Sequence, residues 1–370
     1  MVTATGCKSK REIRLFEDLP ELLHGSDPGF IPPFPGTVSG VLQQSHPSHR
    51  RGEILPYVAW DAGSPVGRIA AIVNRAHNEY HGDRIGFFGF FDFVDDGEVA
   101  GLLFETALHE LRSRGLELAR GPYNPSSNDE CGLLIEGFES PPFVLMPYNP
   151  PYYVRRYADL GLVKARDLYA YYLSDAAQGI ERTQRIVERL SRNANITVRS
   201  ANLKKLDEEI RILRSLYNAT LGAQWGFVPI SAEDLEYAVR ELRHVLDPEM
   251  VLFAEKDGEP IGISVIIPNV NEFMLRAKGS KGWIRTLRFL WYLKTKRPRE
   301  ARLAILGVLP EHRRKGVAPA FYFESLKRGK EKYVGAELGW VLDNNDEVNK
   351  VADLMGAKRY KTYRIFETQI

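Results

Sequence analysis

The chain repeats itself, and the repeat limits its fold more than any other feature. Residues 63–74 read GSPVGRIAAIVN and residues 258–269 read GEPIGISVIIPN. Gly63, Pro65, Gly67, Ile72 and Asn74 match Gly258, Pro260, Gly262, Ile267 and Asn269 without a gap. Each stretch follows a short apolar run, and a Gly-x-Pro turn between two apolar runs signals a hairpin. A second match closes each half: YYVRRYADLGLVKARDLYAYYL (152–173) resembles VNKVADLMGAKRYKTYRIFE (348–367). Each reads as a helix, a glycine stop at Gly161 or Gly356, a basic step and an aromatic-rich strand. The spacing between the two matches is nearly equal in both halves. This predicts a tandem duplication, with an N-terminal lobe at 1–173, a charged connecting helix at 174–194 and a C-terminal lobe at 195–370.

Within the second lobe, strands alternate with amphipathic helices, which predicts an α/β sandwich. The length of 370 residues suffices for two domains. A net charge of +2 argues against a general nucleic-acid binder. The start, MVTATGCKSKREIRLF, lacks the apolar core of a signal peptide, and no apolar run reaches membrane-spanning length. Two isolated cysteines, Cys7 and Cys131, make neither a disulfide framework nor a metal site. These features read together as a reduced, cytoplasmic protein with no metal.

One junction carries chemistry. GVLPEHRRKGVAPAFYFESL (307–326) passes from a strand through a basic turn with one glycine into a helix. A helix N-terminus leaves amide N–H groups unpaired and carries partial positive charge. A glycine before it lets backbone approach a ligand, so the two together cradle phosphate. Arg313, Arg314 and Lys315 add charge at the rim, Gly316 permits close approach, and Ala318 keeps the first helical turn small.

Arg313-x-x-Gly316-x-Ala318 resembles the [QR]-x-x-G-x-[GA] signature of the GNAT acyltransferase superfamily. The resemblance covers the whole second lobe in element order. It implies a tandem duplication of the GNAT acyl-CoA N-acyltransferase fold, an α/β fold with mixed central sheets flanked by helices. It also implies that the N–H groups of Arg314, Lys315, Gly316, Val317 and Ala318 hold the diphosphate of acetyl-CoA or another acyl-CoA. Leu306, Gly307 and Val308 would line the thioester, and Asn344 or Asn345 would touch the pantetheine arm. Many members carry a tyrosine in the short helix that follows and use it to protonate the departing thiolate. That position falls near Ala352 here. Tyr360 and Tyr363 lie farther on, in or near the last strand, and Tyr363 is the candidate substitute acid, unless the thiolate leaves unaided at its ordinary pKa of about 8 to 9 or the lobe binds CoA without efficient turnover. Glu337 is the expected base, at a strand position where this superfamily often places a carboxylate, and Glu272 is a weaker one. Ser264 and Thr286 have no His/Asp partner in sight, which disfavours a serine-type triad. The whole chain further resembles bacterial two-lobed GNAT-like proteins of about this length, a group without a settled substrate.

In the first lobe, VDDGEVAGLL occupies the place of the cradle, with Asp95, Asp96 and Glu98 where the basic rim should be. Their charge opposes a diphosphate, so this lobe is expected to lack a CoA site. Its stretch 120–153 is rich in Pro, Gly, Asn and Tyr. It reads either as an acceptor-binding loop, with Asn124, Ser126, Asn128, Glu130 and Asn149 as contacts, or as a rigid packing loop. Residues 275–302 hold ten Lys or Arg against one Glu, and Trp283, Ile284, Leu287, Leu290 and Trp291 fall near helical spacing. An ordinary helix, packed by its apolar face with a solvated basic face, is favoured there over a membrane-surface helix.

The expected function is an acyl-CoA-dependent N-acyltransferase, with a small amine or amino-acid-like acceptor held between the lobes and direct attack on the thioester. The alternative is a CoA-binding or ligand-sensing protein with vestigial catalysis.

Overall fold

Both glycine turns of the repeat close two-residue hairpins. The left-handed pairs are Ala62–Gly63, at φ 47° and 82°, and Asp257–Gly258, at φ 53° and 86°. Positive φ at both central residues is the type I′ geometry that matches the twist of the flanking strands. A register shift follows at Ala59/Trp60 in one hairpin and at Ala254/Glu255 in the other. The computed structural model describes residues 1–174, 180, 181, 184, 195–280 and 282–370. The connecting helix expected at 174–194 falls almost entirely outside them.

The chain forms two compact units. Unit 1 comprises Met1–Leu168, Phe273–Leu290 and Lys361–Ile370, and unit 2 comprises Tyr169–Glu272 and Trp291–Tyr360. The first half of the sequence runs β1 (Thr3–Gly6), α1 (Lys10–His24), α2 (Thr37–Val41), β2 (Gly52–Asp61), β3 (Ser64–Asn74), α3 (Arg75–His81), β4 (Ile85–Phe93) and α4 (Gly97–Ser113). It continues with β5 (Leu118–Gly121), β6 (Tyr123–Asn124), β7 (Glu130–Cys131), β8 (Leu133–Glu136), α5 (Tyr152–Asp159) and β9 (Val163–Leu173). In unit 1 the sheet order is β1-β2-β3-β4-β5, and the C-terminal residues Phe366–Gln369 pair antiparallel with β5.

The second half runs β10 (Ile196–Ser200), α6 (Leu206–Leu221), α7 (Ala232–Leu242), β11 (Val251–Lys256), β12 (Glu259–Pro268), α8 (Asn271–Ala277) and α9 (Gly282–Thr295). Then come β13 (Glu300–Val308), α10 (Val317–Gly329), β14 (Gly335–Leu342), α11 (Asp346–Met355) and β15 (Lys358–Gln369). In unit 2 the order is β10-β11-β12-β13-β14, completed by the end of β9. Each sheet is mixed: the hairpins are antiparallel, while β4/β5 and β13/β14 are parallel and joined across a helix.

Apolar spacing seats those crossover helices. In α4, Val99, Leu103, Phe104, Ala107, Leu108 and Leu111 are buried on one face, against Phe88, Phe91 and Phe93 of β4. In α10, Val317 and Phe321 pack on Leu252, Ile261 and Val308. Both helices therefore start beside the C-terminal end of a sheet strand, which places their N-termini where a ligand could reach them.

Candidate active site

The site begins where two strands part. β13 and β14 pair in register from Glu300/Gly335 to Leu303/Leu338 and then separate, although β13 runs to Val308 and β14 to Leu342. At the same level β13 carries a bulge: Ile305 faces Val265 and Leu303 faces Ile266, leaving Ala304 as the extra residue. The last residues of β13 thus pair with β12 on one side and leave their other backbone edge open.

Leu306 and Val308 pack toward α10. Gly307 turns the other way, where an added Cβ would lie 2.1 Å from Thr220 Oγ1 of α6. Glycine there lets helix and strand meet, a packing reason for a residue expected to line the thioester.

The loop after β13 is fixed by its first arginine. Arg313 donates from Nε to the Val308 carbonyl at 3.2 Å and from its terminal nitrogen to the Thr220 carbonyl at 2.9 Å. It caps the end of α6 and anchors the turn, rather than projecting as a free rim charge. Arg314 and Gly316 then adopt φ 60° and 91°. Gly316 is the N-cap of α10, and no side chain caps the helix. Among the described residues, no protein acceptor meets the amide N–H groups of Arg314, Lys315, Gly316, Val317 or Ala318. Pro319, next along, has no N–H to offer. The left-handed turns and the helix dipole leave this row of donors free for an anion. Arg314 adds an exposed pair with Glu347, Nε to Oε1 at 2.8 Å.

Downstream, Asn345 is committed: its Oδ1 accepts from Val348 N at 3.3 Å and caps α11. Asn344 is exposed beside it. Ala352, which stands at the expected tyrosine position, is fully buried in a cluster with Tyr171, Tyr322 and Leu338. Tyr171 comes from the end of β9, belongs to the buried cluster against which Leu303 and Leu306 pack, and donates its hydroxyl to Asn349 Oδ1 at 3.0 Å. Burial raises the Tyr171 phenol above its ordinary pKa, so it stays protonated. Sequence reading missed this residue, because it lies 181 positions before Ala352 in a strand whose place in unit 2 no local pattern announces.

Glu337 is sealed, at 0% exposure. Its carboxylate meets Arg302 Nε at 3.1 Å and accepts a hydrogen bond from the Tyr360 hydroxyl. Arg302 also donates to the Gly339 carbonyl at 3.2 Å. This paired group braces β13 and β14 at the level where they separate. Tyr363 is fully buried in unit 1, in the segment that pairs with β8. The two residues expected to share the proton transfers thus belong to different units.

Unit 1 presents the same scaffold with its donors satisfied. Asp96 N-caps α4, and its Oδ1 accepts from Glu98 N at 2.7 Å and Val99 N at 3.3 Å. Asp95 is held by Arg155 and Arg156. At the bulge of β4, Asn124 Oδ1 accepts the Phe90 N–H at 2.6 Å. Asn149 is buried and bonds both backbone groups of Leu134, at 2.7 and 3.1 Å. Ser126 bonds Asp129 and the Asn128 amide, and Glu130 sits in the short pairing of β7 with β6. Of the five loop residues named as acceptor contacts, Asn124 and Asn149 hold backbone in place. Asn149 also lines a unit 1 cavity of about 110 Å³, with Tyr148, Asp27 and Lys361.

The comparisons with known proteins agree with this geometry. Residues 213–356 match the acetyltransferase (GNAT) family. The chain is 33% identical to the bacterial ceramide synthase of Caulobacter vibrioides (strain NA1000 / CB15N), over 97% of its own length and 95% of that protein's. The chain belongs to the GNAT family. This GNAT protein is also 31% identical to Protein YghO of Escherichia coli (strain K12), over 98% of this chain and 94% of that one. Among solved structures, a tandem GNAT protein from the clavulanic acid biosynthesis pathway covers 100% of this chain and 98% of its own, at a TM-score of 0.59 and 12% identity. The fold is thus a tandem GNAT fold, and the protein is a GNAT N-acyltransferase with acyl-CoA as its co-substrate.

Proposed function

We propose that the protein transfers an acyl group from acyl-CoA, held by unit 2, to the amino group of a long-chain amine, forming an amide of the kind found in a ceramide. The observation that carries the reading is the uncapped start of α10. Its unsatisfied amides lie after the open edge of β13, the arrangement a diphosphate and its thioester arm require. The acceptor class is supported by the full-length identity to a protein named for ceramide synthesis. It replaces the small amine or amino acid that the sequence suggested.

In the proposed reaction the free amine attacks the thioester carbonyl carbon. The C–N bond forms, and the open N–H groups of β13 stabilise the oxyanion. The C–S bond then breaks, the nucleophile's extra proton passes to water, and Tyr171 protonates the departing thiolate and takes a proton back from water. Tyr171 is assigned this role, in preference to Tyr363, because it belongs to unit 2 and to the buried cluster against which Leu303 and Leu306 of β13 pack. Glu337 is a positioning residue in this scheme, since its carboxylate is taken up by Arg302 and Tyr360.

The test is thiol release, with amide detected by mass spectrometry. Palmitoyl-CoA with a sphingoid base is set against acetyl-CoA with a small amine. One thiol per amide, with preference for the long-chain pair, is expected. Preference for the small pair would overturn the acceptor class. Tyr171→Phe should lower kcat about tenfold or more with KM for acyl-CoA unchanged. An unchanged kcat would remove Tyr171 from the mechanism.

A further inference from the structure

Helix α9 is mounted with its apolar face outward. At about 100° per residue, Trp283, Leu287 and Leu290 fall on one stripe, flanked by Ile284 and Trp291. These side chains are 71%, 55%, 47%, 47% and 56% exposed, respectively. The residues that hold the helix down lie on the opposite face. Arg285, 4% exposed, gives a two-pronged ion pair to Glu21 of α1 and donates to the Ser280 carbonyl at 2.9 Å. Phe289 packs its ring 5.2 Å from that of Phe34. An amphipathic helix of a water-soluble surface is oriented the other way, with charge outward and large apolar groups inward. The apolar-inward seating favoured from sequence is therefore reversed.

The stripe has a charged frame of one sign. Lys294 continues it, and Arg288, Lys296 and Arg297 are exposed around it. Arg288 spends its donors on neutral oxygens, Ser280 Oγ and the Arg276 carbonyl. Among the described residues, none of these four cations has a carboxylate partner. Two tryptophans, leucines between them and unpaired cations at the margin are the chemistry that seats a helix at a headgroup boundary. The rings enter the apolar edge, and the cations meet anionic lipid. A protein partner would be expected to bring carboxylates to a frame like this; a bilayer brings phosphates.

We propose that α9 is a membrane-surface docking helix, which lays the Trp283–Leu287–Leu290 stripe into an anionic bilayer. It does not span the bilayer, since among the described residues no helix is long and apolar enough to cross one. This inference does not rest on the proposed acceptor, but it would bring the enzyme to where long-chain amines reside.

The test is flotation of the full-length protein with phosphatidylcholine vesicles, with and without phosphatidylglycerol. Expected are partitioning that favours phosphatidylglycerol and weakens as salt is raised, and a loss of about tenfold or more in the double variant Trp283→Ala/Leu287→Ala. Both side chains are exposed, so the thermal transition of this variant should match that of the parent. Lys294→Glu/Lys296→Glu should lower the preference for phosphatidylglycerol. Equal partitioning of parent and Trp283→Ala/Leu287→Ala, or none by the parent, overturns the proposal. So does a parent that self-associates by analytical ultracentrifugation and becomes monomeric in the variant without binding vesicles, because the stripe is then a contact between copies. Vesicle binding needs no turnover, so a protein that docks but releases no thiol would sink the proposed reaction and keep this inference.

Discussion

Helices α4 and α10 follow equivalent strands in the two units, and each carries a Val-Ala pair in its first turn, Val99-Ala100 and Val317-Ala318. What differs is the N-cap. Asp96 places a carboxylate on the first free amides of α4, while Gly316 places nothing on those of α10. The strands differ in the same sense. Asn124 closes the bulge of β4, whereas β13 keeps an open edge after Leu303. One scaffold therefore serves two ends. A side-chain cap turns it into structure, and a bare left-handed glycine leaves it able to bind an anion.

The two units should respond differently when their buried charged groups are changed. In unit 2, Glu337→Ala would take the carboxylate from Arg302, which is 4% exposed. Removing one partner of a buried pair costs about 3 kcal/mol or more. Denaturant unfolding should show a loss of that size, with acyl-CoA binding weakened in step. A loss below about 1 kcal/mol would mean that Arg302 finds another partner. Unit 1 should instead answer to acid. Burial pushes the His77 imidazole down to about 3, and His81 and Arg120 act in the same direction. The Asp83 carboxylate, 3.4 Å away, does not offset that desolvation. An unfolded histidine titrates near 6.5. The unfolded chain therefore binds the proton first, and this contribution to stability is complete above about pH 6.5 and falls as pH drops toward 3. The slope is at most about 1.4 kcal/mol per pH unit for one group. Thermal unfolding across that window checks it, and His77→Gln should flatten the acid side of the profile.

The smallest effect is expected at the cap of α4. Asp96→Ala should cost about 1 kcal/mol, the usual value of a lost N-cap. It should create no second acyl-CoA site, because Asn124 still occupies the bulge of β4. Appearance of a second site would mean that the cap alone separates the two units.

The repeat, the hairpins and the cradle were legible in the sequence because each rests on local chemistry: a left-handed turn, a glycine before a helix, an acidic replacement at Asp95 and Asp96. The unequal capping of the two helix starts could be read for the same reason. Residues acting at long range could not. Nothing near Arg313 says that it will cap α6 instead of meeting a ligand. Glu337 in a strand gives no sign of Arg302 and Tyr360. Tyr171 reaches unit 2 only because the end of β9 completes that unit's sheet. The stripe on α9 was visible as a period, but its direction depends on Glu21, more than 250 residues away.

Calorimetric titration of the parent and of Gly316→Glu with acetyl-CoA and palmitoyl-CoA asks whether unit 2 alone binds acyl-CoA, through the bare start of α10. One site per chain is expected, weakened about 100-fold or more in the variant, where a carboxylate and a strained left-handed backbone replace the open glycine. Two sites in the parent, or undiminished binding by Gly316→Glu, would contradict that expectation.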